Sequence, residues 1–288
     1  MAEVKVGSIP IGAEHPPVLI AGPDVIESRE LVMETCEALV ALAAECGVPF
    51  ILKSSYAKAN RSSGTSYAGP GLEAGLAVLA EAAERFGIPV TTDVHETGEI
   101  APAAAVADLL QIPAFLCRQT PLALAAARSG RAVNIKKGQF MAPAGMHALV
   151  AKITSAGNQN VLVTERGTSF GYNNLVVDMR GLQEMARHGT PVIFDLAHST
   201  QLPGGAGERS GGERRYAALL ARAAAGAGVA GFFAEVHPDP PTALCDPDSQ
   251  VTPDQLRAIL TQVLAIDAAR RSTAGDEARA LPTPGEEF

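Results

Sequence analysis

Eleven consecutive residues, Lys53-Ser54-Ser55-Tyr56-Ala57-Lys58-Ala59-Asn60-Arg61-Ser62-Ser63, bring together three cations, an amide and four serine hydroxyls. They follow directly on the apolar run Val48-Pro49-Phe50-Ile51-Leu52, which reads as a buried strand. Such a run is poor core material. It suits the capture of a phosphorylated, hydroxylated small molecule. Guanidinium forks grip phosphate or carboxylate oxygens in pairs, ammonium groups add mobile point charge, and amides and hydroxyls serve the remaining oxygens. Taken alone, the run would read more simply as a solvated loop.

The rest of the chain argues against that simpler reading. Asp24, Lys53, Asp93, Gln111, Lys136, Arg166, His198 and Glu235 each stand at or just past the end of a short apolar run. Lys53, Lys58, Arg61, Lys136 and Arg166 together carry more positive charge than one anion needs. A second constellation, Asp24, His198, Glu235 and Asp246, offers nitrogen and oxygen donors of the kind that hold a divalent metal. Its spacing is wide. On the residues alone, a histidine hydrogen-bonded to a carboxylate is the simpler account.

These residues need a scaffold that brings strand ends together. The pattern alternates short apolar strands with helices eight times. Ser28 caps a helix that runs to Cys46 and stops at Gly47, and Leu72–Phe86 is the next, closed by Gly87. Eight β/α units predict an α/β fold, a (β/α)8 TIM barrel, whose strand ends converge on one mouth. A doubly wound sheet would bring a GxGxxG turn after its first strand, and Gly22-Pro23-Asp24 is not one. Residues 1–16 are expected to form an N-terminal hairpin turned at Gly7-Ser8, a flap outside the main fold. Residues 17–270 form the barrel, with a last helix over about 253–270, and 271–288 are expected as a disordered Gly/Pro/Glu-rich tail. The glycine-rich segment Gln201 to Gly212 is expected to be a lid over the mouth.

Composition narrows the classes. A net charge of −8 argues against a general nucleic-acid binder, so any anion site must be local. Cys36, Cys46, Cys117 and Cys245 are scattered, with no CxxC, which points away from disulfides and zinc fingers. No basic segment leads into an apolar stretch near Met1, and no apolar run approaches the ~20 residues that span a bilayer. The expectation is a cytoplasmic protein acting on small molecules, with no membrane or nucleic-acid partner and no organic cofactor.

Several motifs then resemble one family in the right order. Lys58-Ala59-Asn60-Arg61-Ser62-Ser63 is similar to the KANRSS motif of the 3-deoxy-D-manno-octulosonate 8-phosphate synthases, also called 2-dehydro-3-deoxyphosphooctonate aldolases. The likeness continues through Thr91 to Glu96, Gln111 to Thr120, Asn134 to Phe140, Glu165 to Asp178, Ala197 to Gly205 and Glu235 to Pro240, and covers about 17–268. The resemblance implies a homotetrameric (β/α)8 enzyme that condenses phosphoenolpyruvate with D-arabinose 5-phosphate and water, for lipopolysaccharide synthesis.

It also implies roles. Asn60, Arg61 and Ser62 would hold arabinose 5-phosphate, and Arg118 would reach its phosphate from a neighbouring subunit. Lys136 and Arg166 would grip the phosphate of phosphoenolpyruvate. Lys53 would sit near its carboxylate, and Gln111 would help form the polar floor. Lys58, Asp93, His198 and Glu235 would serve the reacting centre. Asp24 departs from the pattern. One branch of the family has a metal-binding cysteine there, alongside equivalents of His198, Glu235 and Asp246; the other has asparagine and needs no metal. Asp24 leaves both open, with Mg2+, Mn2+ or Zn2+ as the candidate ion. Two rivals remain. One is a 3-deoxy-heptulosonate 7-phosphate synthase acting on erythrose 4-phosphate, whose KPR-type motif is absent here. The other is a non-catalytic sugar-phosphate sensor.

Overall fold

The computed structural model describes residues 3–60, 64–205 and 211–280. It opens with a hairpin, β1 (Val4–Val6) and β2 (Ile9–Ile11), turned at Gly7-Ser8. The β/α units follow: β3 (Val18–Gly22) with α1 (Arg29–Cys46), β4 (Phe50–Lys53) with α2 (Leu72–Phe86), and β5 (Val90–Asp93) with α3 (Ile100–Val106). Next come β6 (Leu109–Ile112) with α4 (Thr120–Arg128), β7 (Ala132–Lys136) with α5 (Met146–Ser155), and β8 (Val161–Glu165). A small pair, β9 (Thr168–Ser169) and β10 (Leu175–Val176), precedes α6 (Met179–Ala186). Then follow β11 (Val192–Asp195), a second small pair of β12 (Gln201–Leu202) and β13 (Gly211–Gly212), α7 (Ala217–Ala227), β14 (Gly231–Glu235) and α8 (Pro253–Ala280). Strands β3 to β8, β11 and β14 pair in parallel and close on themselves, with β14 between β11 and β3. The expected (β/α)8 barrel is therefore the observed one.

Local chemistry explains the units. Ser28 Oγ accepts from Leu31 N at 3.1 Å, and Gly47 leaves α1 at φ 67°, a left-handed turn. Side chains alternate across each strand. Leu19, Leu52, Leu110, Val133, Val163 and Phe232 face the helices and join the large outer core. The inward set changes character with height. Val18, Ile20, Ile51, Leu109, Ala132, Leu162 and Ile193 form an apolar floor. Above it lie Gln111, Asn134 and Thr164, and at the mouth Lys53, Asp93, Lys136, Asp195 and Glu235, all buried. On β7 the order Ala132, Asn134, Lys136 shows the whole progression.

The N-terminal hairpin corrects one expectation. It is not a flap outside the fold. Val4, Val6 and Ile11 are fully buried in the same cluster as the barrel floor, and Lys5 N donates to Asn160 Oδ1 at 3.2 Å. The apolar floor would otherwise face water, so the hairpin plugs it. At the other end of the chain, α8 runs on to Ala280, past the expected 270. Arg271 ties it down, pairing with Asp267 and donating to the carbonyls of Ala13 and His15. Residues 281–288 lie outside the described residues.

Candidate active site

A cavity of about 570 Å³ opens at the C-terminal ends of the barrel strands. Lys53, Lys58, Asn60, Asp93, Lys136, Arg166, His198, Glu235 and Asp246, all expected in the site, line it. Asp24 and Gln111 lie beneath, where they hold lining residues. Arg118 is exposed and does not line the cavity. Arg61 and Ser62 lie outside the described residues, as do 206–210 of the expected lid. The rest of that segment stands at the mouth, with Gln201, Pro203 and Gly204 on the cavity wall.

The floor is a set of interlocked ion pairs. Lys53 Nζ donates to Asp24 O at 2.9 Å and lies 3.5 Å from Asp24 Oδ1, 3.5 Å from Glu235 Oε1 and 3.8 Å from Asp93 Oδ2. Lys58 pairs with Asp24 Oδ1. A Cβ on Gly22 would stand 2.1 Å from Lys53 O, so only glycine lets β3 approach β4 closely enough for these contacts. Asp93 accepts from Ser55 Oγ at 2.6 Å and Gln111 Nε2 at 2.8 Å. Gln111 in turn accepts from Asn134 at 2.9 Å, and Asn134 from Thr164 at 2.8 Å.

Burial and charge set the protonation states. Burial works to raise both Asp24 and Asp93, but Lys58 and Lys53 hold Asp24, and Lys53 and Lys58 hold Asp93, below the usual carboxylate range. Glu235 moves the opposite way, because burial and the neighbouring Asp24 charge push it well above. Of the two neighbouring carboxyls, Asp24 is thus the one that keeps its charge and Glu235 the one pushed towards its protonated form. Burial brings His198 down to about 4, against the pull of Asp195, so its imidazole is neutral.

The opposite wall holds the remaining cations. Lys136 Nζ lies 2.7 Å from Asp195 Oδ2 and 3.6 Å from the centre of the Phe233 ring. Arg166 Nη2 donates to Gln201 Oε1 at 2.7 Å, while its Nη1 is buried without a partner. A buried guanidinium donor left free beside a cavity is poised for an incoming anion. Lys137, fully buried, fixes this loop by donating to Gly167 O at 3.1 Å and Thr168 Oγ1 at 2.9 Å beside Glu165.

Sequence reasoning missed five residues: Asp195, Gln201, Lys137, Glu165 and Cys245. Asp195 ends β11 as Lys136 ends β7, so the same strand-end rule pointed to it. Glu165 ends β8 and falls under the same rule; the others act through side-chain contacts that spacing does not reveal.

The second constellation fits a divalent ion. Donor atoms of His198, Glu235 and Asp246 lie within 4.8 Å of one another, as do those of Asp24, Cys245 and Asp246. His198 Nδ1 is 2.8 Å from Asp195 Oδ2, which leaves the Nε2 lone pair turned towards Glu235. Asp24 Oδ2 and Glu235 Oε2 are buried without a hydrogen-bond partner, an arrangement that a shared proton or a cation satisfies. A set dominated by carboxylates favours a hard ion such as Mg2+ or Mn2+ over Zn2+.

Comparison with known proteins gives a consistent result. The family model described as the DAHP synthetase I family matches residues 2–270. A 2-dehydro-3-deoxyphosphooctonate aldolase of Trichlorobacter lovleyi is 51% identical over 269 residues, 93% of this chain and 99% of its own. The protein of the same name from Syntrophotalea carbinolica is 52% identical, covering 92% of this chain and 96% of its own. That from Alkalilimnicola ehrlichii is 54% identical over 89% of this chain and 93% of its own.

Proposed function

This chain belongs to the DAHP synthetase I family, and with relatives named 2-dehydro-3-deoxyphosphooctonate aldolase on most of its length we propose the reaction that its mouth performs. Phosphoenolpyruvate and D-arabinose 5-phosphate condense with water to 3-deoxy-D-manno-octulosonate 8-phosphate and inorganic phosphate. The observation that carries the reading is the convergence of Lys53, Lys58, Lys136 and Arg166 on one cavity, with Arg166 Nη1 unpaired. The relatives' name favours the eight-carbon product over the erythrose 4-phosphate reading. The buried acid and base groups at the floor favour an enzyme over a sensor.

Lys136 and Arg166 take the phosphate of phosphoenolpyruvate, and Lys53 and Lys58 its carboxylate. Asn60 reaches the sugar phosphate, with Arg61 and Ser62 assigned the same ligand by resemblance. Holding two anions side by side removes their repulsion and the entropy of meeting. C3 of phosphoenolpyruvate then bonds to the aldehyde carbon of the sugar, and water adds at C2. The tetrahedral centre expels phosphate by breaking its C–O bond. Neutral His198, oriented by Asp195, accepts a proton from the attacking water, and Glu235, whose carboxyl is pushed towards its protonated form, gives one to the oxygen left on the former aldehyde carbon. Those two proton roles belong to the metal-free site. Were Asp24, His198, Glu235 and Asp246 to hold a divalent ion instead, the His198 lone pair and the Glu235 carboxylate would be among its ligands, and it would supply positive charge beside the reacting oxygens.

The product is a lipopolysaccharide precursor, and a homotetramer in the cytoplasm places Arg118 at a neighbour's sugar-phosphate site. Among the described residues no helix is long and apolar enough to cross a membrane. Phosphate release from phosphoenolpyruvate tests the reading. It should depend on arabinose 5-phosphate and exceed that with erythrose 4-phosphate; no release with either sugar would overturn it. Full activity after chelation would remove the metal, and loss restored by Mn2+ or Mg2+ would establish it.

A further inference from the structure

One contact at the floor belongs to this chain's own departure from its family. Lys58 lines the cavity, while the Asp24 side chain beneath is 0% exposed and Lys58 pairs with it directly. The pair is fixed by backbone. Ser55 N donates to Asp24 O at 3.3 Å and Ile26 N to Ser55 O at 3.0 Å, which zips the loop after β3 to the loop after β4. Lys58 N donates to Ala68 O at 2.9 Å, so the base of the lysine is anchored too. Asparagine at position 24 would put no charge there, whereas the aspartate carboxylate, held below the usual range by Lys58 and Lys53, does.

Building on the proposed reaction, we infer that Asp24 masks Lys58: it occupies the ammonium in the free enzyme, and the carboxylate of phosphoenolpyruvate must displace it. Asp24 then lowers phosphoenolpyruvate affinity by competing for one of the ligand's cations. The displaced carboxylate is not abandoned, because Lys53 stays 3.5 Å away and donates to the carbonyl of the same residue. A binding-competent lysine that is populated only part of the time weakens apparent affinity in proportion. Asp24 acts here as a positioning residue.

The test is equilibrium binding of phosphoenolpyruvate by titration calorimetry, with chelator present and no sugar phosphate, so that neither turnover nor metal intervenes. Asp24→Asn should bind about tenfold or more tightly than the natural protein. In a Lys58→Gln background the same substitution should lose most of that gain, because the lysine held directly by Asp24 is gone and Lys53 keeps its contacts with Glu235 and Asp93. Equal tightening in both backgrounds would mean a general field effect and overturn the inference, as would unchanged or weaker binding in Asp24→Asn. Should Asp24→Asn fail to fold, Asp24→Ser removes the same charge and carries the same comparison. If the natural protein neither binds phosphoenolpyruvate nor releases phosphate, it is the proposed reaction that falls. If it does both, the masking stands or falls by itself.

Discussion

Asp195 holds Lys136 at 2.7 Å through the same Oδ2 atom that takes His198 Nδ1 at 2.8 Å. One carboxylate oxygen thus positions both the cation assigned to the substrate phosphate and the imidazole assigned to the water. Its second oxygen accepts from the backbone of Ala197 at 3.1 Å and His198 at 2.8 Å, which fixes the turn that presents the ring. Replacing Asp195 by Asn keeps the shape and removes the charge. Phosphate release should fall in kcat by roughly 10²-fold, in the range of a lost acid–base group, with a smaller change in phosphoenolpyruvate binding. A KM effect with unchanged kcat would remove His198 from the proton transfer.

Acid should unfold the protein through these buried carboxylates. Asp93 and Asp195 sit below their ordinary value of 3.8: burial opposes this, and it is overcome by Lys53 beside Asp93 and, at Asp195, by the contact with His198, whose Nδ1–H bonds to the carboxylate, together with the Lys136 charge. A depressed native pKa adds stability that is complete above the unfolded value and lost as pH falls below it. Thermal melts should therefore decline with increasing steepness below about pH 4. Asp93→Asn should start less stable and decline less steeply, and parallel curves for the two proteins would contradict the assignment.

Arg166 divides its guanidinium between Gln201 and an open position. Lysine would have to serve both from one nitrogen instead of two. Arg166→Lys should raise the phosphoenolpyruvate KM by about 10²-fold, because a planar fork is replaced by a point charge. Inorganic phosphate should lose its inhibition in parallel, which a product-inhibition series measures.

Lys137 and Glu165 are both buried, with Nζ and Oε1 3.4 Å apart. Lys137→Met should cost about 3–5 kcal/mol, because it strands a buried carboxylate. Adding Glu165→Gln should recover part of that loss. Urea denaturation of the single and double variants provides the check, and a double variant no better than the single would show that the lysine acts only through Gly167 and Thr168.

The hairpin makes a prediction at the far end of the barrel. Ile11→Ala should cost about 2–4 kcal/mol as a core truncation, with kcat almost unchanged. A mere flap would tolerate the change with no measurable loss.

Much of this was legible in the sequence, for a reason visible in β7. Ala132, Asn134 and Lys136 share one face because strands alternate, so a cation closing an apolar run already implied a mouth. The same logic placed Lys53, Asp93 and Glu235. What stayed hidden depends on a third dimension. Val4, Val6 and Ile11 alternate as any edge hairpin would, and only the closed barrel shows an open floor for them to fill. Asp24 showed itself as an unusual residue in a familiar place. Its partner Lys58 lies thirty-four residues on, and nothing in the order of residues announced that the two would meet.

The hydrogen bonds beneath Asp93 all run one way. Thr164 gives to Asn134, Asn134 to Gln111, and Gln111 to Asp93, while Ser55 gives from the other side. Neither amide in that row has a labile proton to pass on. The row is consequently an insulator: it braces the anion and bars protons from leaking down through the barrel, so proton traffic must enter and leave by the mouth.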